Sequence, residues 1–334
     1  MENHHGNWGI IDLSLYLCSR WRMIIIVNIY DTIVQIIVFG LGAAIGSFLN
    51  VVVYRVPAGL SVIWPPSRCP KCLHQLGMGE NIPILGWLLL RGKCRHCRTP
   101  ISPRYPLIEA ITAIIFVLVY NRFGLSIHTV GYSLLMCWLL ALTLIDLDTM
   151  TLPNPLTQSG LVLGLTFQFV AGFLDRNYSI AGSRDYLIQG VLGMVLGIWI
   201  YDTISILGSM MMGQLAQGGG DAKLMAMVGA WSSWKVVLLS GALASALAIF
   251  GFVAVAGYST IVSGGKAGAK KLIQPLPLGP FIALGATISL FGGDWLIDTY
   301  QQFSRSPDRY LFAIPLLIML VTLLFWTRKM RLRS

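Results

Sequence analysis

Long apolar runs dominate this chain and decide the medium in which it can fold. Eight such stretches recur between polar segments: 33–53, 106–121, 127–146, 155–174, 186–207, 221–256, 277–292 and 310–327. Each approaches the roughly 20 residues that a helix needs to cross a bilayer. The 221–256 stretch is long enough for two short spans divided near Trp231–Lys235. Only 11% of the 334 residues are charged. A soluble domain carries about a quarter, so lipid must cover much of this surface. No strand signal and no solenoid repeat is visible. The expected fold is an all-α polytopic membrane bundle of about eight transmembrane helices, with a four-cysteine loop on the cytoplasmic side.

The net charge of +10 reports orientation in a chain of this kind, because Lys and Arg stay on the cytoplasmic side. It does not point to nucleic acid; nothing resembles a recognition helix or an RNA-binding sheet. The segment 54–105 holds Arg55, Arg68, Lys71, Arg91, Lys93, Arg95, Arg98 and Arg104 against Glu80 alone. Placing it inside and alternating the spans, with 221–256 counted as two, puts Lys266, Lys270, Lys271 and the 328–334 tail inside as well. Asp175, Asp185, Asp294, Asp298 and Asp308 then fall outside. Gly40, Gly42 and Gly46 in the first span invite close approach of a neighbouring helix. Residues 1–32 read as an extension. Arg20 and Arg22 interrupt the apolar run, so a cleavable signal peptide fits poorly, and Met23 offers an alternative start. His4 and His5 read as tail residues.

Four of the six cysteines form two knuckles, Cys69-Pro-Lys-Cys72 and Cys94-Arg-His-Cys97, separated by residues 73–93. Paired C-x-x-C motifs at this separation are a zinc signature. Four thiolates close a tetrahedral structural site with no open position. Two disulfides are the rival reading, which a reducing cytoplasmic compartment disfavours. A short polar loop has no core of its own, and a metal supplies the missing stability. His74 and His96 lie close by as bystanders. Cys18 and Cys137 read as small packed residues.

Acidic residues at membrane depth are costly and mark function by default. Asp146 ends the third span in Leu-Ile-Asp-Leu-Asp-Thr-Met-Thr-Leu-Pro-Asn. Asp221 opens a later one in Gly218-Gly219-Gly220-Asp221-Ala-Lys223-Leu. The orientation above sets both near the cytoplasmic face. Two adjacent carboxylates share a proton; one then activates water while the other polarises a carbonyl. The triple glycine permits close backbone approach. Against this, Asp221 is well placed as a helix N-cap, Asp148 rivals Asp146, and Asp202 is a third candidate. A transporter using Asp146, Asp202 and Asp221 as proton or cation ligands is the alternative function. A zinc-loop scaffold without chemistry is another. Glu109 and Lys223 read as ordinary partners at helix ends.

Further motifs follow in order: Gly46-Ser-Phe-Leu-Asn50-Val with Tyr54-Arg55-Val-Pro57; Glu80-Asn81-Ile82-Pro83; Leu90-Arg91-Gly92-Lys-Cys94; Ile101-Ser-Pro-Arg104-Tyr105-Pro106 leading to Glu109; Ile145-Asp146-Leu-Asp148 with Leu152-Pro153-Asn154; Gly219-Gly220-Asp221-Ala-Lys223-Leu; and Pro277-Leu-Gly279-Pro280. Over roughly residues 36–327 the chain resembles the bacterial type IV prepilin peptidases, a family of bifunctional leader peptidases and N-methyltransferases. The resemblance implies an aspartic endopeptidase of the bacterial inner membrane with Asp146 and Asp221 as its carboxylates. It implies prepilin and pseudopilin substrates, cut after a glycine on the cytoplasmic side. It also implies S-adenosylmethionine-dependent methylation of the new amino terminus, for which Glu80 and Asn81 are the expected cofactor-side residues. The expected division is a first span at 33–53, a metal and methyltransferase loop at 54–105, and a peptidase bundle at 106–327. The departures are the N-terminal extension, Gly86 where serine is common, and an interval of 75 residues (221 − 146) that is longer than expected. No glycine-rich dinucleotide fingerprint is present.

Overall fold

A computed structural model describes residues 8–175, 178–212, 219–262 and 277–304. The expected 310–327 span, the 328–334 tail and Lys266, Lys270 and Lys271 lie outside those residues. Among the described residues there is no β-strand, and nine α-helices carry the fold. They are α1 Trp8–Arg55, α2 Leu85–Leu89, α3 Arg104–Phe123, α4 Ile127–Thr149, α5 Asn154–Asp175, α6 Ile180–Met212, α7 Gly219–Trp231, α8 Trp234–Val262 and α9 Gly279–Ser304. A 3-10 turn, Met78–Glu80, precedes α2. Among the described residues six helices are long and apolar enough to cross a membrane: Ile29–Arg55 of α1, α3, α4, α5, Ile180–Leu207 of α6, and Trp234–Val253 of α8. Gly279–Gly293 is a shorter apolar segment. The protein is therefore a membrane-embedded helical bundle.

Two expectations shift in detail. The first span is the end of a single helix that already begins at Trp8; Arg20 and Arg22 do not break it, arginine being a good helix former. The 221–256 stretch divides at Ser232–Ser233, between α7 and α8. Its first half, α7, is not among the described helices long and apolar enough to cross a membrane. At 13 residues, α7 is about 20 Å long, well short of a hydrocarbon core about 30 Å thick.

The chain forms two compact units, residues 1–51 with 63–129 and residues 52–62 with 130–334. In the first, α1 and α3 pack backbone to backbone. A Cβ on Gly42 would lie 2.8 Å from the Ala113 Cα, and one on Gly46 would lie 2.8 Å from the Glu109 Cα. Gly40 faces open space, so two of the three small residues make the seam. Asn50 ties the end of this pair, its Nδ2 donating to the Tyr105 carbonyl at 3.2 Å.

The second unit is built around α7, whose residues Leu224 to Trp231 are all buried. A helix apolar on every side belongs inside a protein. Its neighbours come close because they are glycine-rich. A Cβ on Gly193 or Gly197 of α6 would meet the Gly229 or Met225 backbone at 2.8 Å. Gly160 and Gly164 of α5 make room for Met227 and Trp231. The Trp231 indole donates to the Gly160 carbonyl at 2.7 Å and stacks on Phe167, with ring centroids 5.4 Å apart. Gln168 donates to the Ser232 carbonyl, satisfying the carbonyl end of this short helix.

Candidate functional site

The four cysteines meet in the first unit. Their sulfurs all lie within 4.8 Å of one another, with Cys69–Cys97 at 3.7 Å and Cys72–Cys94 at 3.9 Å. A metal at the centre of four thiolates with bonds of about 2.3 Å requires tetrahedral edges of about 3.8 Å. The cluster fits such an ion, and the four thiols are unpaired, unlike two disulfides.

The knuckles repeat one backbone pattern 25 residues apart. Cys69 N–H donates to the His74 carbonyl and Leu73 N–H to the Cys69 carbonyl; Cys94 N–H donates to Thr99 and Arg98 N–H to Cys94. Isolated bridges join Arg68 to Gln75 and Lys93 to Pro100. The turn in each is closed by a residue at positive φ, Leu73 at 58° and Arg98 at 53°. The Thr99 hydroxyl, 3.2 Å from the Cys97 sulfur, and the Thr99 backbone hold that thiol down at about 6. Backbone N–H groups of Cys72 and Lys71 lower Cys69 as well. Cys72 goes the other way: against a backbone hydrogen bond from His74 that lowers it, burial and the Cys97, Cys69 and Cys94 thiols push it up to about 11, because crowded thiols resist ionising together unless a cation sits among them. His74 and His96 are exposed and their rings meet at a tilt of 40°, with centroids 3.5 Å apart.

Glu80 and Asn81 sit on the turn that leads into α2. The Glu80 carboxylate accepts from the Gly77 N–H at 2.9 Å and reaches Arg95 at 3.9 Å. It thereby links this turn to the second knuckle. Asn81 is exposed at the end of the turn. Gly86 is buried against the same turn: a Cβ there would stand 2.4 Å from the Glu80 carbonyl oxygen. A side chain at this position would collide with the turn. Glu109 makes a tertiary hydrogen bond. It is 8% exposed and accepts from the Ile84 N–H at 2.6 Å. Ile84 itself sits at φ 62°, a conformation a β-branched residue adopts only when its surroundings impose it.

In the second unit the ends of four helices gather. Asp146 lies in the last turn of α4 and is 6% exposed. Its Oδ2 accepts from the Gly279 N–H at 3.0 Å, the first residue of α9. A Cβ on Gly279 would stand 2.6 Å from that oxygen, so only glycine admits this approach. After α4 the chain reverses through Met150, at φ 54°, and enters α5 at Asn154. Asp221 stands half-buried in the first turn of α7, within electrostatic reach of buried Tyr201 on α6. Next to it, Gly220 abuts Leu152 of the α4–α5 turn, where a Cβ would lie 3.1 Å from the leucine Cβ. Lys223 donates to the Asn154 Oδ1 at 2.7 Å. Asp148 is exposed, and Asp202 lies half-buried on α6. In the sequence Gly279 belongs to a motif that announces no role. Its partner is 133 residues away, and no local signal announces that contact.

A polytopic helical membrane protein, with one buried carboxylate at a bundle end and a separate four-thiolate cluster, is the class this architecture defines. Comparison narrows it. Residues 40–123 match the bacterial peptidase A24 N-terminal domain, and residues 133–253 match the type IV leader peptidase family. A prepilin leader peptidase/N-methyltransferase of Stutzerimonas stutzeri is 33% identical over 290 residues, covering 79% of this chain and 93% of the relative. One from Aeromonas hydrophila is 34% identical over 291 residues, covering 79% and 92%. One from Myxococcus xanthus is 37% identical over 209 residues, covering 63% and 59%. No solved structure matches the chain. The chain belongs to the type IV leader peptidase family.

Proposed function

We propose that this protein is a membrane aspartic endopeptidase that removes the leader of type IV prepilins and pseudopilins and then methylates the new amino terminus. Membership of the family supports both activities. The observation that carries the peptidase reading is the buried carboxylate of Asp146, placed against the α9 N-terminus at the bundle end that also holds the first turn of α7. Asp146 and Asp221 are the proposed dyad. One carboxylate takes a proton from water; the other, protonated, polarises the scissile carbonyl. Water's oxygen adds to that carbon, and the collapsing intermediate expels the amine, which receives a proton from the dyad. Such a pair titrates jointly. A transporter would need carboxylates spaced along a path across the bilayer, and Asp146 and the α7 first turn share one bundle end.

The basic 54–105 segment supports a cytoplasmic site on the bacterial inner membrane, where a prepilin's apolar helix lies in lipid and its leader in water. Cleavage then falls after a glycine at that boundary. Zinc is the ion proposed for Cys69, Cys72, Cys94 and Cys97, given four sulfur ligands at tetrahedral spacing. It has a folding role and no open position. S-adenosylmethionine supplies an electrophilic methyl group to the second reaction. Glu80 anchors the proposed cofactor-side turn and Asn81 is its exposed polar group. By this reading 54–105 serves methylation and the bundle from residue 106 onward serves cleavage.

Mass spectrometry of the amino terminus of a co-expressed prepilin tests both activities at once. Asp146→Asn and Asp221→Asn should each abolish cleavage while the protein still accumulates in the membrane. Processing retained by either variant removes that residue from the dyad.

A further inference from the structure

The α7 first turn and the α4–α5 turn are joined by side chains that no catalytic role requires. Lys223 Nζ donates to the Asn154 Oδ1 at 2.7 Å across 69 residues of sequence. Gly220 meets Leu152 beside it, with no room for a Cβ at ordinary distance. Both contacts run between the same two segments. One segment follows Asp146 directly, and the other contains Asp221. Asn154 is the first residue of α5, so it is held to the end of a 22-residue helix. Lys223 stands two residues after Asp221, and residues so spaced on a helix do not face each other. The lysine therefore points to the α4–α5 turn and not to the aspartate's own side of the helix. Lysine is flexible and an exposed one ordinarily stays solvated. Here the ammonium is engaged by an amide oxygen, a charge-assisted hydrogen bond of definite direction.

We propose that Asn154 and Lys223 form a positioning clamp for peptide cleavage. The bond fixes the first turn of α7 against the chain reversal that follows Asp146, and so fixes the spacing of the two carboxylates. Neither residue touches the reacting atoms. The inference rests on the Asp146–Asp221 reading. A misplacement of about 1 Å at a reacting centre costs on the order of a hundredfold in rate, so loosening the clamp lowers kcat and leaves substrate affinity in place.

The test uses the full-length protein in detergent with a prepilin substrate, and methylation of a pre-cleaved pilin as the internal control. Lys223→Met and Asn154→Leu should each lower kcat by roughly ten- to a hundredfold with KM little changed, and methylation should persist. Combining them should cost no more than either alone, because both remove one shared interaction. Lys223→Arg and Asn154→Asp, which keep a donor and an acceptor, should lose least. Additive losses, a defect confined to KM, or full kcat in the Met and Leu variants would overturn the clamp. If those variants also lose methylation, the exchange Asn154→Lys with Lys223→Asn decides. Recovery of kcat relative to Asn154→Lys alone supports the bond, and no recovery refutes it. Asp146→Asn or Asp221→Asn run alongside separates the two ideas. Cleavage by an aspartate variant sinks the dyad, whereas inactive aspartate variants beside fully active clamp variants sink only the clamp.

Discussion

Gly279 shows how much a single missing methyl group can decide. Its N–H reaches the Asp146 carboxylate at 3.0 Å because nothing projects from its Cα. Gly279→Ala puts a carbon 2.6 Å from that oxygen, inside contact distance, so the carboxylate must swing away and lose its donor. The cleavage rate should fall at least tenfold, since one lost hydrogen bond to a charged group is worth about 1.5–3 kcal/mol. Initial rates on a prepilin measure this, and methylation of pre-cleaved pilin should be unaffected. A Gly279→Ala enzyme with full cleavage would show that this donor does not matter. Asp146 and Asp221 stand out in the sequence as candidates because charge at the end of an apolar run is costly and therefore conspicuous. The role of Gly279 is hidden in the sequence, since it depends on a partner 133 residues away. The repeat of the knuckles is hidden too, because Leu73 and Arg98 occupy positions where glycine would have signalled a left-handed turn.

Among the elements, α2 and α7 show opposite kinds of legibility. The sequence marks a break near Trp231–Lys235, and α7 ends there, but its apolar composition reads as a span. Only the glycines of α5 and α6, which let their backbones close around it, reveal it as a buried short helix. The helix α2 is five residues long and has no sequence signal of its own. It is held from outside. Glu109 on α3 accepts the Ile84 N–H at its start, and the Trp87 indole donates to the Ile101 carbonyl at 3.0 Å. Glu109→Gln keeps an acceptor and should leave the loop closed. Glu109→Leu leaves a half-buried N–H unpaired, at a cost of about 1–3 kcal/mol, beneath a residue already at positive φ. Limited proteolysis should then cut between residues 78 and 92 many times faster in the leucine variant than in the glutamine variant. Equal cutting of the two would show that the bond is dispensable.

At the scale of the whole molecule, the two units are stabilised by different means, and a metal chelator should separate them. The bundle of the second unit has a core of its own: Leu135, Leu142, Ile145, Leu224, Met225, Met227 and Trp231 are buried almost completely. The 54–103 segment has none. Its only buried residues are Cys69, Gly86, Gly92 and Cys94, two of them proposed ligands and two without side chains. Such a segment folds around an ion or does not hold its shape. Removing the metal should therefore abolish methylation and expose the loop to protease, while prepilin cleavage persists. Acid should act in the same direction. All four thiols must lose their protons to hold the ion, so protons compete with the metal and its retention weakens as pH falls. Metal content by mass spectrometry, followed alongside the two activities across a chelator series, reads all three. Cleavage lost in step with methylation would mean that the bundle depends on the ion, against the independence its own core implies.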